Sequence, residues 1–233
     1  MPYVKFNTAL IVGAGSGLSA SLARALNSEG VQVALAARST DDLKPLAKDT
    51  GARLFTCDAT RREQVEKLFS DVDAAFGEPE IVIYNAGYRY RGPLIDLDPN
   101  EVEKTLMTCA FGGFLVGQQA ARRMLPKGRG AILFTGASAS VKGYAESAPF
   151  AMGKFALRGL AQSMSRELHP KGIHVVHVVI DGGIKSERRP EPPGKTASLL
   201  NPNSIAATCV NILHQPHSAW SSEIEVRPWV EKF

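Results

Sequence analysis

Apolar runs of strand length alternate with amphipathic stretches of helix length along almost the whole chain. Thr8–Val12 is a β-branched and aliphatic run that meets Gly13. From Ser16 to Asn27, Leu18, Leu22, Ala25 and Leu26 fall at helical spacing, and Gly30 stands where a C-cap glycine ends a helix. Val31–Ala36 and Arg53–Cys57 read as the second and third strands. Arg61–Phe76 follows as a helix with Val65, Leu68, Phe69 and Val72 on one stripe, and Ile81–Tyr84 is the fourth strand. A long helix is expected from Pro99 to Met124, then a strand Ala131–Thr135, a helix Pro149–Leu168 and a mostly apolar strand Ile173–Ile180. Apolar residues on successive positions mark strands buried on both faces of a parallel sheet. Asp181–Pro202 has four prolines and no periodicity, so it reads as a loop before a last helix, Ser204–Leu213, and a short strand, Ile224–Val226. Strand–helix alternation implies right-handed βαβ units and a parallel sheet covered on both faces.

Composition leaves that picture intact. With 233 residues, 44% hydrophobic and 21% charged, the chain suits one α/β domain over residues 1–233, with no repeat and no linker. The net charge is +4, but the basic residues are scattered, and the tightest cluster (Lys185, Arg188, Arg189) sits in the proline-rich loop as a solvated patch. Nucleic acid is not indicated. Cys57, Cys109 and Cys209 are far apart and odd in number, which argues against a disulfide framework or a zinc site and fits a reducing compartment. Residues 1–8 lack a signal-peptide layout and no run is long enough to span a bilayer, so a cytoplasmic protein without membrane association is expected.

Candidate chemistry begins at the first strand–helix turn, Gly13-Ala14-Gly15-Ser16-Gly17-Leu18-Ser19. A residue without Cβ lets the backbone approach a pyrophosphate closely, and the helix behind it supplies unpaired N–H groups and a positive dipole end. The Gly-x-Gly-x-x-Gly spacing fails at Leu18; the spacing present is Gly13 and Gly17, with Ser19 at the third position. At the tip of the second strand Ala37-Arg38-Ser39 offers no carboxylate for a ribose 2′-hydroxyl. Arg38 offers a planar fork suited to a 2′-phosphate, so NADP is the favoured cofactor.

These features resemble the short-chain dehydrogenase/reductase family over nearly the whole length. The resemblance implies a doubly wound Rossmann fold with about seven parallel strands and helices on both faces. It places Asp58, followed by Ala59, at the adenine edge. Tyr84-Asn85-Ala86-Gly87 is similar to the family's Asn-Asn-Ala-Gly, and Asp181-Gly182-Gly183-Ile184 to its Pro-Gly stretch, with Ile184 at the carboxamide and Ser186 near the phosphates. The family's chemistry is hydride transfer between a nicotinamide and a carbonyl or alcohol carbon. It uses a tyrosine as acid, a lysine four residues later, a serine thirteen residues before the tyrosine, and an asparagine on the preceding long helix. Here Lys154 matches the lysine, while Phe150, Ala137 and Cys109 stand at the other three positions.

A positioned acid is worth about a hundred- to ten-thousand-fold in rate, so substitutes matter. Ser138 and Ser140 flank Ala137, and Ser138 reaches the site only if the strand bulges. Tyr144 precedes the helix, and Tyr88 and Tyr90 follow Asn85. The five histidines show no metal or triad spacing, and no metal is expected. The substrate loop, about 184–203, carries one apolar stretch, Ala197-Ser198-Leu199-Leu200, so the pocket is expected to be open or completed by another subunit. Trp229 suggests a subunit contact, and the resemblance implies a dimer or tetramer. Two readings stay open: an NADP-dependent oxidoreductase of a small carbonyl or alcohol with a rearranged proton donor, and a non-catalytic NADP-binding sensor or partner subunit.

Overall fold

In a computed structural model, which describes residues 5–230, seven parallel strands form one sheet in the order β3-β2-β1-β4-β5-β6-β7. The first four residues of the stretch read for a targeting signal lie outside that range. The strands are β1 (Thr8–Val12), β2 (Gln32–Ala37), β3 (Arg53–Thr56), β4 (Ile81–Tyr84), β5 (Gly130–Thr135), β6 (Ile173–Ile180) and β7 (Glu223–Val226). Their registers, Ile11 opposite Leu35 on one side and Ile83 on the other, keep every central residue paired. The alternation along β1 assigns the two cores. Ala9 and Ile11 pack with α1 (Leu18–Ser28) and α7 (Pro202–Leu213), while Leu10 and Val12 face α3 (Arg62–Phe76), α5 (Gly112–Met124) and α6 (Ala148–Leu168).

Three elements depart from the periodicity. A short helix, α2 (Lys44–Thr50), fills the stretch between β2 and β3, starting at a proline and burying only Leu46 and Thr50. The long helix from residue 99 to 124 is interrupted: α4 (Pro99–Leu106) runs through a π turn (Met107–Phe111) into α5. Tyr84 explains how that turn is held. Its ring is fully buried, its hydroxyl donates to the Thr108 carbonyl at 2.5 Å, and a Cβ on Gly112 would lie 2.4 Å from that oxygen. Finally, the loop ends one residue sooner, because Pro202 is the first residue of α7, with Asn201 as its cap.

No helix among the described residues is long and apolar enough to cross a membrane. The histidines are gathered more than their spacing implied. His169, His174 and His217 pack around Trp220, His174 stacked on the indole at 4.6 Å, while His177 Nδ1 lies 3.0 Å from Glu223, which Arg158 grips with two 2.7 Å bonds. No group that would hold a metal occurs among the described residues.

Burial lowers His174 from 6.5 to about 4, against the pull of the Ser221 carbonyl and with help from His169 and His217. The folded protein therefore binds this proton less readily than the unfolded chain. The associated stability is complete above about pH 6.5 and drains away as the pH falls towards 4. Acidification from about pH 7 to about pH 5 should cost about 2 kcal/mol through this group. His174→Phe, which keeps a ring on Trp220, should lose correspondingly less in urea melts at the two pH values. Equal losses in both proteins would remove His174 as the cause.

Candidate functional site

The sheet's carboxyl edge divides where β1 and β4 lie side by side but their connections leave in opposite directions, the place where doubly wound folds open a crevice. Two cavities lie there and share Asn85 and Gly87. One, of about 840 Å³, is walled by Gly13, Ala14, Arg38, Ser39, Asp58, Ala59 and Ala86 among others. The other, of about 800 Å³, is walled by Thr135, Ala137, Ser138, Tyr144, Phe150, Lys154, Gly182, Ile184 and Ser186 among others.

Gly13 is fixed by geometry. Its φ is +83°, and a Cβ there would sit 2.3 Å from the Ala86 nitrogen, so the turn after β1 touches the turn after β4 backbone to backbone. A Cβ on Gly15 or Gly17 would meet only open space, and no side chain caps the amino end of α1. Ser16 is exposed, Gly17 precedes the helix and Leu18 is buried as its first residue; none of these three walls either cavity. Arg38 is exposed at the far rim of its cavity. Burial alone would raise the Asp58 carboxyl, but bonds from the Thr60 amide (3.0 Å) and hydroxyl (2.8 Å), with Arg38 and Arg61 nearby, hold it below its ordinary value.

A polar chain joins the two cavities. Asn85 Nδ2 donates to Ser19 Oγ at 2.8 Å, and Ser19 Oγ donates to the Gly13 carbonyl at 3.2 Å. On its other side Asn85 Oδ1 accepts from Thr135 Oγ1 at 2.9 Å, and the Thr135 carbonyl accepts from Lys154 Nζ at 2.8 Å. Ser19 therefore spends its hydroxyl where the resemblance has a glycine. Lys154 is 5% exposed, and burial holds its ammonium below the ordinary lysine value, with Cys109 working the other way. An ammonium has three N–H groups, so one carbonyl leaves capacity for an acceptor from the cavity.

Of the altered positions, Phe150 and Ala137 wall the cavity with Lys154, the Phe150 ring centroid 5.8 Å from Nζ. Cys109 does not: it is fully buried in the π turn, its sulfur 3.6 Å from the Tyr88 carbonyl, against Gly153. Burial also pushes Cys57 up to about 11 and Cys209 up to about 12, so neither is a thiolate at neutral pH. The strand-alternation argument against Ser138 fails because β5 ends at Thr135, and Ser138 opens a short 3₁₀ turn that brings it to the cavity beside Ala137.

Near Ser138 lies Asp181, a residue the sequence did not single out as a site group. This carboxylate is 1% exposed and lies 3.1 Å from both Lys142 Nζ and Arg227 Nη2. Burial would raise it, but Ser138, Lys142 and Arg227 hold it below its ordinary value. The signal was an acid ending an apolar strand. Tyr88 donates to Glu101, and the Tyr90 hydroxyl accepts from the Asp98 amide at 3.3 Å; neither walls the cavity. Ser140 is buried and accepts from the Ala137 amide. Tyr144 is 47% exposed on the cavity wall, and Ser147, buried beside it, was also missed. The loop folds back at one point, where Ile184 pairs with Leu200: the Lys185 amide donates to the Leu200 carbonyl and the Leu200 amide to the Gly183 carbonyl, each at 2.9 Å.

Sheet order and switch-point crevice together define a Rossmann-like α/β protein, and the comparisons narrow the class. Residues 7–192 match the short chain dehydrogenase family, and the chain belongs to that family. A crystal structure of a short-chain dehydrogenase from Rhodopseudomonas palustris is 33% identical, with 97% of this chain and 100% of that one covered at a TM-score of 0.82. A metagenomic short-chain oxidoreductase in complex with NADP is 26% identical over 97% and 98% of the chains, at a TM-score of 0.83. An uncharacterized oxidoreductase of Staphylococcus aureus (strain N315) is 28% identical over 227 residues, 94% of this chain and 96% of its own.

The buried position of Lys154 generates a test. Lys154→Ala should weaken NADPH binding about tenfold, the scale of one lost charge-assisted hydrogen bond. Unchanged affinity in a fluorescence titration would separate Lys154 from the cofactor.

Proposed function

We propose that the chain is an NADP-dependent oxidoreductase that moves a hydride between the nicotinamide and a small carbonyl or alcohol, with a rearranged proton donor. The observation that carries it is the buried Lys154 side chain, on the wall of a cavity that shares Asn85 and Gly87 with the one under the glycine turn. The bare backbone of Gly15 and Gly17, the uncapped helix and Arg38 suit the phosphates. Asp58 and Ala59 suit the adenine edge, Ala86 lies on that same cavity, and Asn85, Gly87, Gly182, Ile184 and Ser186, on the Lys154 cavity, suit the nicotinamide half. Bound there, the cofactor supplies the hydride.

The protein must then supply a proton to the carbonyl oxygen. Phe150 and Ala137 have none to give, and Ser138 stands near the Asp181 carboxylate, which it helps to hold below its ordinary value. We assign the donor role to Tyr144, the phenol on the wall of the Lys154 cavity. The reverse reaction returns the alcohol proton to the same oxygen. Lys154 Nζ, fixed by its bond to the Thr135 carbonyl, keeps N–H groups free for the reacting oxygen.

A second copy of the chain fits the reading. Phe111 and Phe114 stack at 6.1 Å on the outer face of α5 and its π turn, Met152 and Phe155 are exposed on α6, and Trp229 is 81% exposed. The three free, buried cysteines suit the reducing cytoplasm.

Two experiments test the function. NADPH should bind at least about tenfold more tightly than NADH, and Arg38→Ala should erase most of that difference by removing a charge-assisted contact; equal wild-type affinities would dismiss Arg38. Tyr144→Phe should lower single-turnover reduction of an aldehyde panel about a hundredfold or more. The Ala137→Ser/Phe150→Tyr pair, built into that variant, should restore activity by placing a hydroxyl pair beside Lys154. A Tyr144→Phe enzyme as fast as wild type would remove Tyr144 from the chemistry, and absence of turnover in every form would favour the non-catalytic NADP-binding reading.

A further inference from the structure

The walls of the Lys154 cavity carry three guanidinium groups, Arg89, Arg91 and Arg189, and no carboxylate. Arg89 and Arg91 come from the turn after β4, and Arg189 comes from the loop after β6. Arg189, though exposed, also walls the cavity. Three cations on one concave wall repel one another, and a protein ordinarily intersperses acids among them. Of the neighbouring acids, Glu146 and Glu187 wall neither cavity, and three others are committed elsewhere. Asp181 holds Lys142 and Arg227 behind the wall, Glu191 accepts from Lys185 and the Ser198 amide, and Glu101 is taken by Tyr88 and Lys104. None of the three arginines is ion-paired within the described residues.

Their stems are nevertheless positioned. The Arg89 guanidinium lies 5.8 Å over the Phe150 ring, Arg91 reaches the Ala145 carbonyl at 3.5 Å, and the Arg189 guanidinium lies close against Gly183. Phe150, standing where the family has its tyrosine, thus serves as a platform for a cation. The cavity that holds Arg89 and Arg91 contains neither Gly13 nor Arg38, so the anion they await is not at the glycine turn.

We propose that this cavity takes an anionic substrate, a carbonyl compound or alcohol bearing a carboxylate or phosphate group, gripped by Arg89 and Arg91 with Arg189 closing from the loop. The inference rests on the oxidoreductase reading for the word substrate; the anion site itself rests on the arginines alone. A guanidinium fork matches either group with two parallel N–H···O bonds, and Phe150 leaves an apolar surface for the carbon skeleton.

The test compares three aldehydes of one skeleton by calorimetry, on the protein with and without saturating NADP. They are 4-formylbenzoate, 4-formylphenyl phosphate and the neutral methyl 4-formylbenzoate. At least one anion should bind about tenfold or more tightly than the ester, the scale of a charge-assisted pair, and Arg89→Gln/Arg91→Gln should abolish the preference. The tighter of the two anions names the group. NADPH titration of the same double variant is the control, and an equal loss there would assign the arginines to the cofactor and overturn the proposal. So would equal binding of anion and ester, no saturable binding of either anion, or a preference that survives the double variant. An anion preference in a protein that fails to bind NADPH would leave the site standing and sink only the oxidoreductase reading.

Discussion

The site depends on one constraint, the closure of the β1 turn onto the β4 turn at Gly13 and Ala86. There two backbones meet with no side chain between them, and that contact brings Ser19 under Asn85. Asn85 is a single amide that can both donate and accept, and it spends one of each, towards Ser19 and towards Thr135. Through Thr135 the same chain of bonds reaches Lys154 on α6. Three strands and two helices are thereby referred to one amide at the sheet's carboxyl edge. The polar groups there are buried and paired, so shifting any one of them leaves an unsatisfied neighbour costing about 1–3 kcal/mol.

The departures from the pattern that the resemblance implies form a connected set. With Asp181 where that pattern has a proline, the turn after β5 is tied through Lys142 to the end of β6 and, through Arg227, to the segment after β7. At the position where the resemblance expects a tyrosine, the Phe150 ring instead carries Arg89. Tyr84 follows the same logic on the far side of the sheet. A buried phenol in place of an asparagine needs an acceptor, and the π turn offers the Thr108 carbonyl, with Gly112 leaving the room.

Sequence reasoning reached what is local. All seven strands lie within a residue or two of where the sequence placed them; β1, β4, β5 and β6 are buried on both faces and so written as apolar runs, while the edge strands β3 and β7 are only partly buried. The helix α2 escaped because it is only seven residues long and buries just two of them. The π turn escaped because an extra residue in a helical turn leaves the apolar stripe nearly unbroken. Gly13, Arg38, Asp58 and Lys154 were read from short motifs, and the structure sets all four on the two cavities. The bonds of Ser19, Thr135 and Asp181, and the placing of Arg89 and Arg91, were not legible. Their partners stand far off in the chain, 66 residues between Ser19 and Asn85 and 50 between Asn85 and Thr135, and no spacing rule joins them.

The balance of charge at the carboxyl edge gives the two cavities different tasks. Under the glycine turn a carboxylate, Asp58, stands with Arg38, so that cavity is mixed in sign and suited to a molecule with both phosphates and a polar ring. Across Asn85 the wall carries only cations, Lys154 buried at its floor and arginines at its rim. Burial holds the Lys154 ammonium below its ordinary value, with Cys109 working the other way. One of its three N–H groups is spent on the Thr135 carbonyl, which fixes Nζ at the floor while the guanidiniums stand exposed at the rim. The two ends of the wall can therefore act on different ends of one occupant, with no movement of the backbone required.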